Sequence, residues 1–409
     1  MIREKYVYQL RDTTISVTNS MVESIRFKDI TKTSIRVYKD GLIGVAGAIG
    51  DYDEDHLTKD AIEALKQRIA YPCEPSINFS KSVDTRKPII SGSQFLKEIE
   101  GLLDELARNQ PGFSFSNKIC MSGERHHIEN ESGLMLDYSD KAFRMELLFK
   151  EKSSANVFDG FFGFEERYYD RKKILEQMNT LLNAYTNPAE LPKGDKLPVI
   201  FFKNSFPIGK LITDLRGDIF ATGGSIFSGR LGKKLFSEDL TLFQTLDPET
   251  VINVPFFDAE GVVNQGYRFN FIENGVLKAP YTDKRLAKKF GLANTGSAEA
   301  PYDGVPSVSF KNWSMTPSKK TVKELLGGQP GIFILMADGG DFTPDGNYAT
   351  PVQLAMLFDG EQFIGRLPDL QISGSIYSML GDGFRGMGSN TVFPFSTEKM
   401  IVTEMTVTL

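Results

Sequence analysis

Between Pro255 and Ala298 the chain writes out a strand, a tight turn and a short helix almost residue by residue. Gly266-Tyr-Arg-Phe-Asn-Phe-Ile-Glu alternates polar and apolar side chains, the pattern of a half-buried strand. Asn274-Gly275 follows, the dipeptide best suited to a two-residue turn with both central residues at positive φ. Val276-Leu-Lys-Ala-Pro-Tyr leads back, and Thr282 is placed to cap a helix from Asp283 to Phe290 that stops at Gly291.

At 409 residues the chain is long enough for two or three domains of roughly 150 residues each. Its 41% hydrophobic and 24% charged residues are those of a globular protein with a substantial core. A net charge of -6, with no Lys/Arg cluster interleaved with aromatics, argues against a nucleic-acid partner. The N-terminal MIREKYVYQLRD has no apolar core region of a secretory signal. The nearly uncharged run Gly41 to Gly50 is far short of the ~20 residues that cross a bilayer. Cys73 and Cys120 are too few for a disulfide framework. The expectation is a cytoplasmic protein with no membrane or nucleic-acid partner.

Residues 13 to 49 read as a β-meander with a hairpin signal at Lys39-Asp-Gly41. A helix after Asp53 aligns Leu57, Ala61, Leu65 and Ile69 and is closed by Pro72 and Pro75. A second begins near Ser93 with the stripe Phe95, Ile99, Leu102, Leu103 and Leu106. Three or four strands from Phe113 to Lys150 follow, turning at Asn130-Glu-Ser-Gly133, and then a helix carries Ile174, Leu175, Met178, Leu181 and Leu182. The segment 186 to 197 is the best linker. The expected layout is an α+β domain of antiparallel meanders and helices over 1–195, and a β-rich, barrel-like or sandwich domain with a few short helices over 196–409. Exposed strand edges in that second domain (Gly331 to Met336, Val352 to Phe358, Leu370 to Ser373) are candidates for pairing with an extended peptide.

The hairpin-helix stretch resembles the TldD/PmbA, or modulator of DNA gyrase, family, whose C-terminal halves carry F-D-x-E-G, I-E-N-G-x-L-K and a D-(x)-R-x-A-x-K-x-G helix. Here these are Phe257-Asp-Ala-Glu-Gly261, Ile272-Glu-Asn-Gly-Val-Leu-Lys278 and Asp283 to Gly291. Ser34 to Ala46 is similar to the family's R-V-x-x-D-G-x-x-G-x-A, and Asn130 to Gly133 to its N-S-x-G turn. The family implies one subunit with a zinc peptidase motif, H-E-x-x-x-H, and another without it.

The resemblance sets Thr213, Asp214 and Asp218 where that motif has His, Glu and His. Two imidazoles about one helical turn apart can share a zinc ion, with the glutamate as general base. Two carboxylates four apart on a helix are far short of the oxygen ligands a hard cation needs. They are read as solvated or Arg-paired. His56, His126 and His127 all precede residue 128, as do both cysteines, so a zinc site of the family's design cannot be assembled in the second half. Adjacent His126 and His127 on a strand face opposite sides and are read as exposed polar residues. His56 sits among carboxylates ahead of a helix. Gly381-Asp-Gly-Phe-Arg-Gly386 matches a dinucleotide fingerprint, but a final strand follows it, not a helix, so its glycines are assigned to a tight turn. No residue is therefore assigned to catalysis, to a cofactor or to a metal. The resemblance implies a TldE/PmbA-like subunit of a heterodimeric zinc metallopeptidase acting on unfolded or leader peptides, with no cofactor in this chain and zinc in a TldD-like partner. The alternatives are a stand-alone peptide-binding homodimer without peptidase activity and a self-sufficient hydrolase with an unrecognised site.

Overall fold

The computed structural model describes residues 1–203 and 206–409. The N-terminal half is built on one sheet of long strands: β1 (Ile2–Thr18), β2 (Met21–Lys39), β3 (Leu42–Ile49), β4 (Phe79–Asp84), β5 (Phe113–Asn130), β6 (Leu134–Glu151) and β7 (Gly160–Glu166). Their order is β3-β2-β1-β5-β6, with β4 and β7 both against β6. All the pairings are antiparallel except β4 with β6. The hairpins turn at Asn19-Ser20 and Asp40-Gly41, all at positive φ. The Asn130–Gly133 turn closes through a Gly133 N–H bond to the Asn130 carbonyl.

The meander expected from residue 13 starts at Ile2, and β4 was not anticipated. Residues 2 to 12 look too polar for a strand because their partners are polar too. Glu4, 1% exposed, ion-pairs with Arg36 across β1 and β2 at 3.2 Å.

Helix α1 (Glu54–Ala64) buries Leu57 and Ala61 against Ile35 and Val37. It ends well before Pro72, in a 3-10 turn closed by Arg68 at φ 54. Helices α2 (Gly92–Asn109) and α3 (Arg171–Tyr185) cover the rest of that face. The whole α2 stripe from Phe95 to Leu106 is buried beside Ile174, Met178, Leu181 and Leu182. Burying each such side chain contributes about 1.5–3 kcal/mol. The same core runs on into Ile200, Phe333, Met356 and Val402 of the second half.

The second half is a closed five-strand barrel. Lys196–Phe202 pairs with Met400–Thr408, which pairs with Leu370–Ser375; Asn347–Phe358 follows, and Gly331–Ala337 returns to Lys196–Phe202. Closure corrects the reading of peptide-accepting edges. The stretches around Gly331, Val352 and Leu370 are paired on both sides, which is how a barrel abolishes edges. Gly381 and Gly383 permit close backbone approach, since a Cβ there would lie 2.3 Å from the Tyr377 carbonyl oxygen and 2.8 Å from that of Ser378.

A second small sheet holds the hairpin, Arg268–Glu273 with Val276–Leu277, against Leu242–Thr245 and Trp313–Met315. Asn274 and Gly275 sit at φ 49 and 75, as the turn demands. The helix that follows runs from Lys284 to Phe290 and stops at Gly291, φ 64. Its cap is Asp283, whose carboxylate accepts the Leu286 N–H at 2.7 Å, and not Thr282. The Thr282 hydroxyl instead donates to the Ala293 carbonyl, so the acidic side chain one residue later takes the capping position.

Candidate functional site

The two halves meet over the sheet face opposite α2, α3 and the core, and enclose a cavity of about 930 Å³ there. Strand alternation builds its floor. Tyr6 and Tyr8 of β1, Lys32, Ser34 and Arg36 of β2, and Glu124 and His126 of β5 all point the same way. The registers Tyr6↔Ser34, Tyr8↔Lys32 and Tyr8↔His126 bring them side by side. Residues 253–255 and Ala259 roof it, with Glu299–Tyr302, Ser307–Ser309, Lys311 and Arg216 as walls.

His126 is not the exposed strand residue expected. Its Nδ1 is 2.8 Å from the Tyr6 hydroxyl and its Nε2 3.2 Å from Glu124. Burial, aided by the nearby Lys311 charge, pushes its pKa down, so the ring is neutral near pH 7. His127 faces the other side of the strand and is held by Asp137 at 3.0 Å. The Lys311 side chain is 10% exposed and its nearest carboxylate, Glu299, is 3.9 Å away. Burial pushes its pKa down as well. His56 is an exposed partner of Asp60, on the helix capped by Asp53.

Behind the roof lies a pair of acids that sequence reading passed over. Asp258 is 0% exposed and Glu260 2%. Asp258 Oδ1 accepts the N–H groups of Glu260 and Val262, both at 2.9 Å, while Oδ2 is buried without a partner. The Glu260 carboxylate accepts from the Tyr71 hydroxyl and from the Lys284 N–H at 2.9 Å. Desolvation raises Asp258 to about 6. Desolvation and the Asp258 charge raise Glu260 to about 7. The two carboxylates therefore titrate as one unit. The F-D-x-E-G string marked their place, and Phe256-Phe257 on one side with Gly261 on the other was the only hint of burial.

Thr213, Asp214 and Asp218 do not converge. The helix Phe206–Asp214 ends at Asp214, and a separate one, Gly217–Ala221, carries Asp218, so the two acids do not share a helix as expected. The Thr213 hydroxyl donates to the Gly209 carbonyl. Asp214 is 1% exposed and paired with Lys210 at 2.7 Å, where a solvated or Arg-paired side chain was expected. Asp218 pairs with Arg216 at 2.9 Å. A hydroxyl bound to backbone and two carboxylates neutralised by cations do not fit zinc, which takes nitrogen, thiolate or free carboxylate ligands. Among the described residues no three His, Cys, Asp or Glu side chains group as metal ligands, and no helix is long and apolar enough to cross a membrane.

Comparison with known proteins places this architecture. The TldE structure from Thermococcus kodakarensis superposes with a TM-score of 0.80 at 22% identity, covering 100% of this chain and 97% of that one. A Thermotoga maritima protein described as a candidate modulator of a DNA gyrase gives 0.80 at 16% identity, over 99% and 96%. In sequence, a metalloprotease of Methanocaldococcus jannaschii is 27% identical over 280 residues, 65% of this chain and 59% of that protein. A zinc metalloprotease TldD homolog of Saccharolobus solfataricus is 28% identical over 217 residues, 51% of this chain and 46% of its own length. The chain thus spans about half the length of the curated relatives it matches. Residues 194–409 match the model of the PmbA/TldA metallopeptidase C-terminal domain. With more than half its length inside that domain and the fold of its relatives throughout, the chain belongs to the PmbA/TldD family.

Proposed function

We propose that this chain is the metal-free, TldE-like member of a cytoplasmic two-subunit metallopeptidase, supplying scaffold and part of the wall that holds an unfolded or leader peptide. One observation carries the reading: of Thr213, Asp214 and Asp218, which the resemblance sets in the place of His, Glu and His, the two acids are already neutralised by Lys210 and Arg216. A segment whose two carboxylates already hold Lys210 and Arg216 is stable without an ion. Zinc and the water-activating base then belong to a TldD-like partner. The cavity suits the peptide-holding role, being large, walled by both halves and lined with separate donors and acceptors.

Co-expression with a protein containing H-E-x-x-x-H tests this. Stable co-purification is expected, with zinc at one ion per pair and cleavage of an unfolded peptide only in the mixture. Stoichiometric zinc and activity in this chain alone would sink it. A homodimer that binds peptide and ignores the partner would favour the stand-alone peptide binder.

A further inference from the structure

The segment Asp258–Gly261 is tied to both halves of the chain. From the N-terminal half, the Arg36 guanidinium donates to the Ala259 carbonyl, Ser76 Oγ donates to the Glu260 carbonyl at 2.8 Å, and the Tyr71 hydroxyl donates to the Glu260 carboxylate. From the other side, the Lys284 N–H holds the second Glu260 oxygen. The Lys284 ammonium reaches Ser76 Oγ at 2.9 Å and the Glu74 carbonyl at 3.1 Å. Gly261 turns the chain at φ 68. Between the two acids, Ala259 forms part of the cavity roof, so the loop cannot leave without opening the cavity.

That docking buries two carboxylates two residues apart. Among the described residues neither has an ion-pair partner, and Asp258 Oδ2 has no hydrogen-bond donor. The groups facing them are mixed in sign. Arg36, Glu4, Tyr6 and Tyr38 face them from the sheet, and Tyr71 and Cys73 from the segment after α1. Asp283, Lys284 and Lys288 face them from the helix, and Lys311 from the wall. The ammonium groups of Lys284 and Lys311 act on Asp258 only through space. One bare carboxylate is tolerable there; two at once are not, because desolvation and mutual repulsion act together.

We propose that the Asp258–Gly261 loop is a proton-sensitive latch, which holds the roof of the cavity shut while the carboxylate pair shares a proton and releases it when both acids are ionised. The sign follows from linkage. The closed state binds the proton more tightly than an open, solvated one, so closure is strongest near pH 4 and weakens as pH rises to about 7, above which both acids are ionised in either state. The inference is independent of which subunit carries zinc.

Hydrogen exchange of the full chain at pH 5.5 and 8.0, corrected for intrinsic rates, reads it directly. Protection over residues 255–263 and 70–78 is expected to fall on the order of 10- to 100-fold between the two pH values. Amides in β5 and β6 should hold constant. In Glu260→Gln the fall should shrink to a few-fold or less, and Asp258→Asn serves should that variant fail to fold. Three results would each overturn the latch: no pH dependence in the parent chain, an undiminished one in both variants, or a fall that includes β5 and β6 equally. Peptide binding or partner affinity can be present or absent under every one of these outcomes.

Discussion

Asp140 and Asp258 are both aspartates with no exposed surface where the halves of the chain meet, yet their surroundings treat them in opposite ways. Asp140 receives a two-pronged Arg167 guanidinium at 2.8 Å on each oxygen, together with the Tyr138 hydroxyl, the Asn253 N–H and the Lys141 N–H. Burial alone would raise its pKa; the Arg167 and Asn253 bonds outweigh burial and hold it below the usual carboxylate value. Asp258 receives two backbone N–H groups on one oxygen and nothing on the other, so burial wins and its pKa rises. Burial does not decide what a carboxylate does; the completeness of its partner set does. The first contact works as a permanent rivet and the second as one that a proton completes.

The sharpest way to break the comparison is to cut the rivet. Arg167→Ala strips Asp140 of its cation and frees three backbone carbonyls at 248, 249 and 251. A loss of about 3–5 kcal/mol is expected from a buried ion pair broken on one side, read from urea denaturation midpoints. The opposite sign is expected for Glu260→Gln. It should stabilise the protein at pH 8 by up to about 2–3 kcal/mol and do little at pH 5, flattening the decline that two raised carboxylates produce as pH climbs from about 4 to 7. Asp140 contributes the other limb. Its stabilisation is present above the unfolded aspartate value and lost as pH falls through its depressed folded value, so Asp140→Asn should remove an acid limb that Glu260→Gln leaves in place.

Gly261→Ala probes the latch through the backbone. A side chain at φ 68 costs about 1–2 kcal/mol, and its Cβ would meet Leu134 Cδ2 at 2.6 Å. A thermal shift at pH 5.5 measures it. The smallest effect belongs to Asp218→Asn, at a part-exposed pair with Arg216, where stability should move by no more than about 0.5 kcal/mol and bound zinc not at all. A drop in bound metal there would show that the ion pair is not what occupies that helix end.

What could be read from the letters alone follows the range of the forces involved. The α2 stripe and the Asn274-Gly275 turn rest on interactions within a few residues. A barrel-like or sandwich second domain was expected, but not which strands close it, because the pairing of 196–202 with 400–408 leaves no trace in either stretch. The polar strand at 2–12, whose burial depends on residues 31 to 38 and 123 to 130, was out of reach. At the site, neither the helix break between Asp214 and Asp218 nor the lysine that neutralises Asp214 was legible. Histidine 126 looked like surface because its cover comes from residues more than a hundred positions downstream.

Barrel closure makes one strand indispensable to two others. Strand Met400–Thr408 fits between the first strand of the barrel and Leu370–Ser375. A chain from which this strand is deleted therefore carries two unpaired strand margins, lined with apolar residues such as Val199 and Ile372. Those margins would bind their counterparts on another molecule lacking the strand. Deleting Met400–Thr408 should thus produce sticky oligomers, whereas a fragment ending before residue 196 presents no part of the barrel to the solvent.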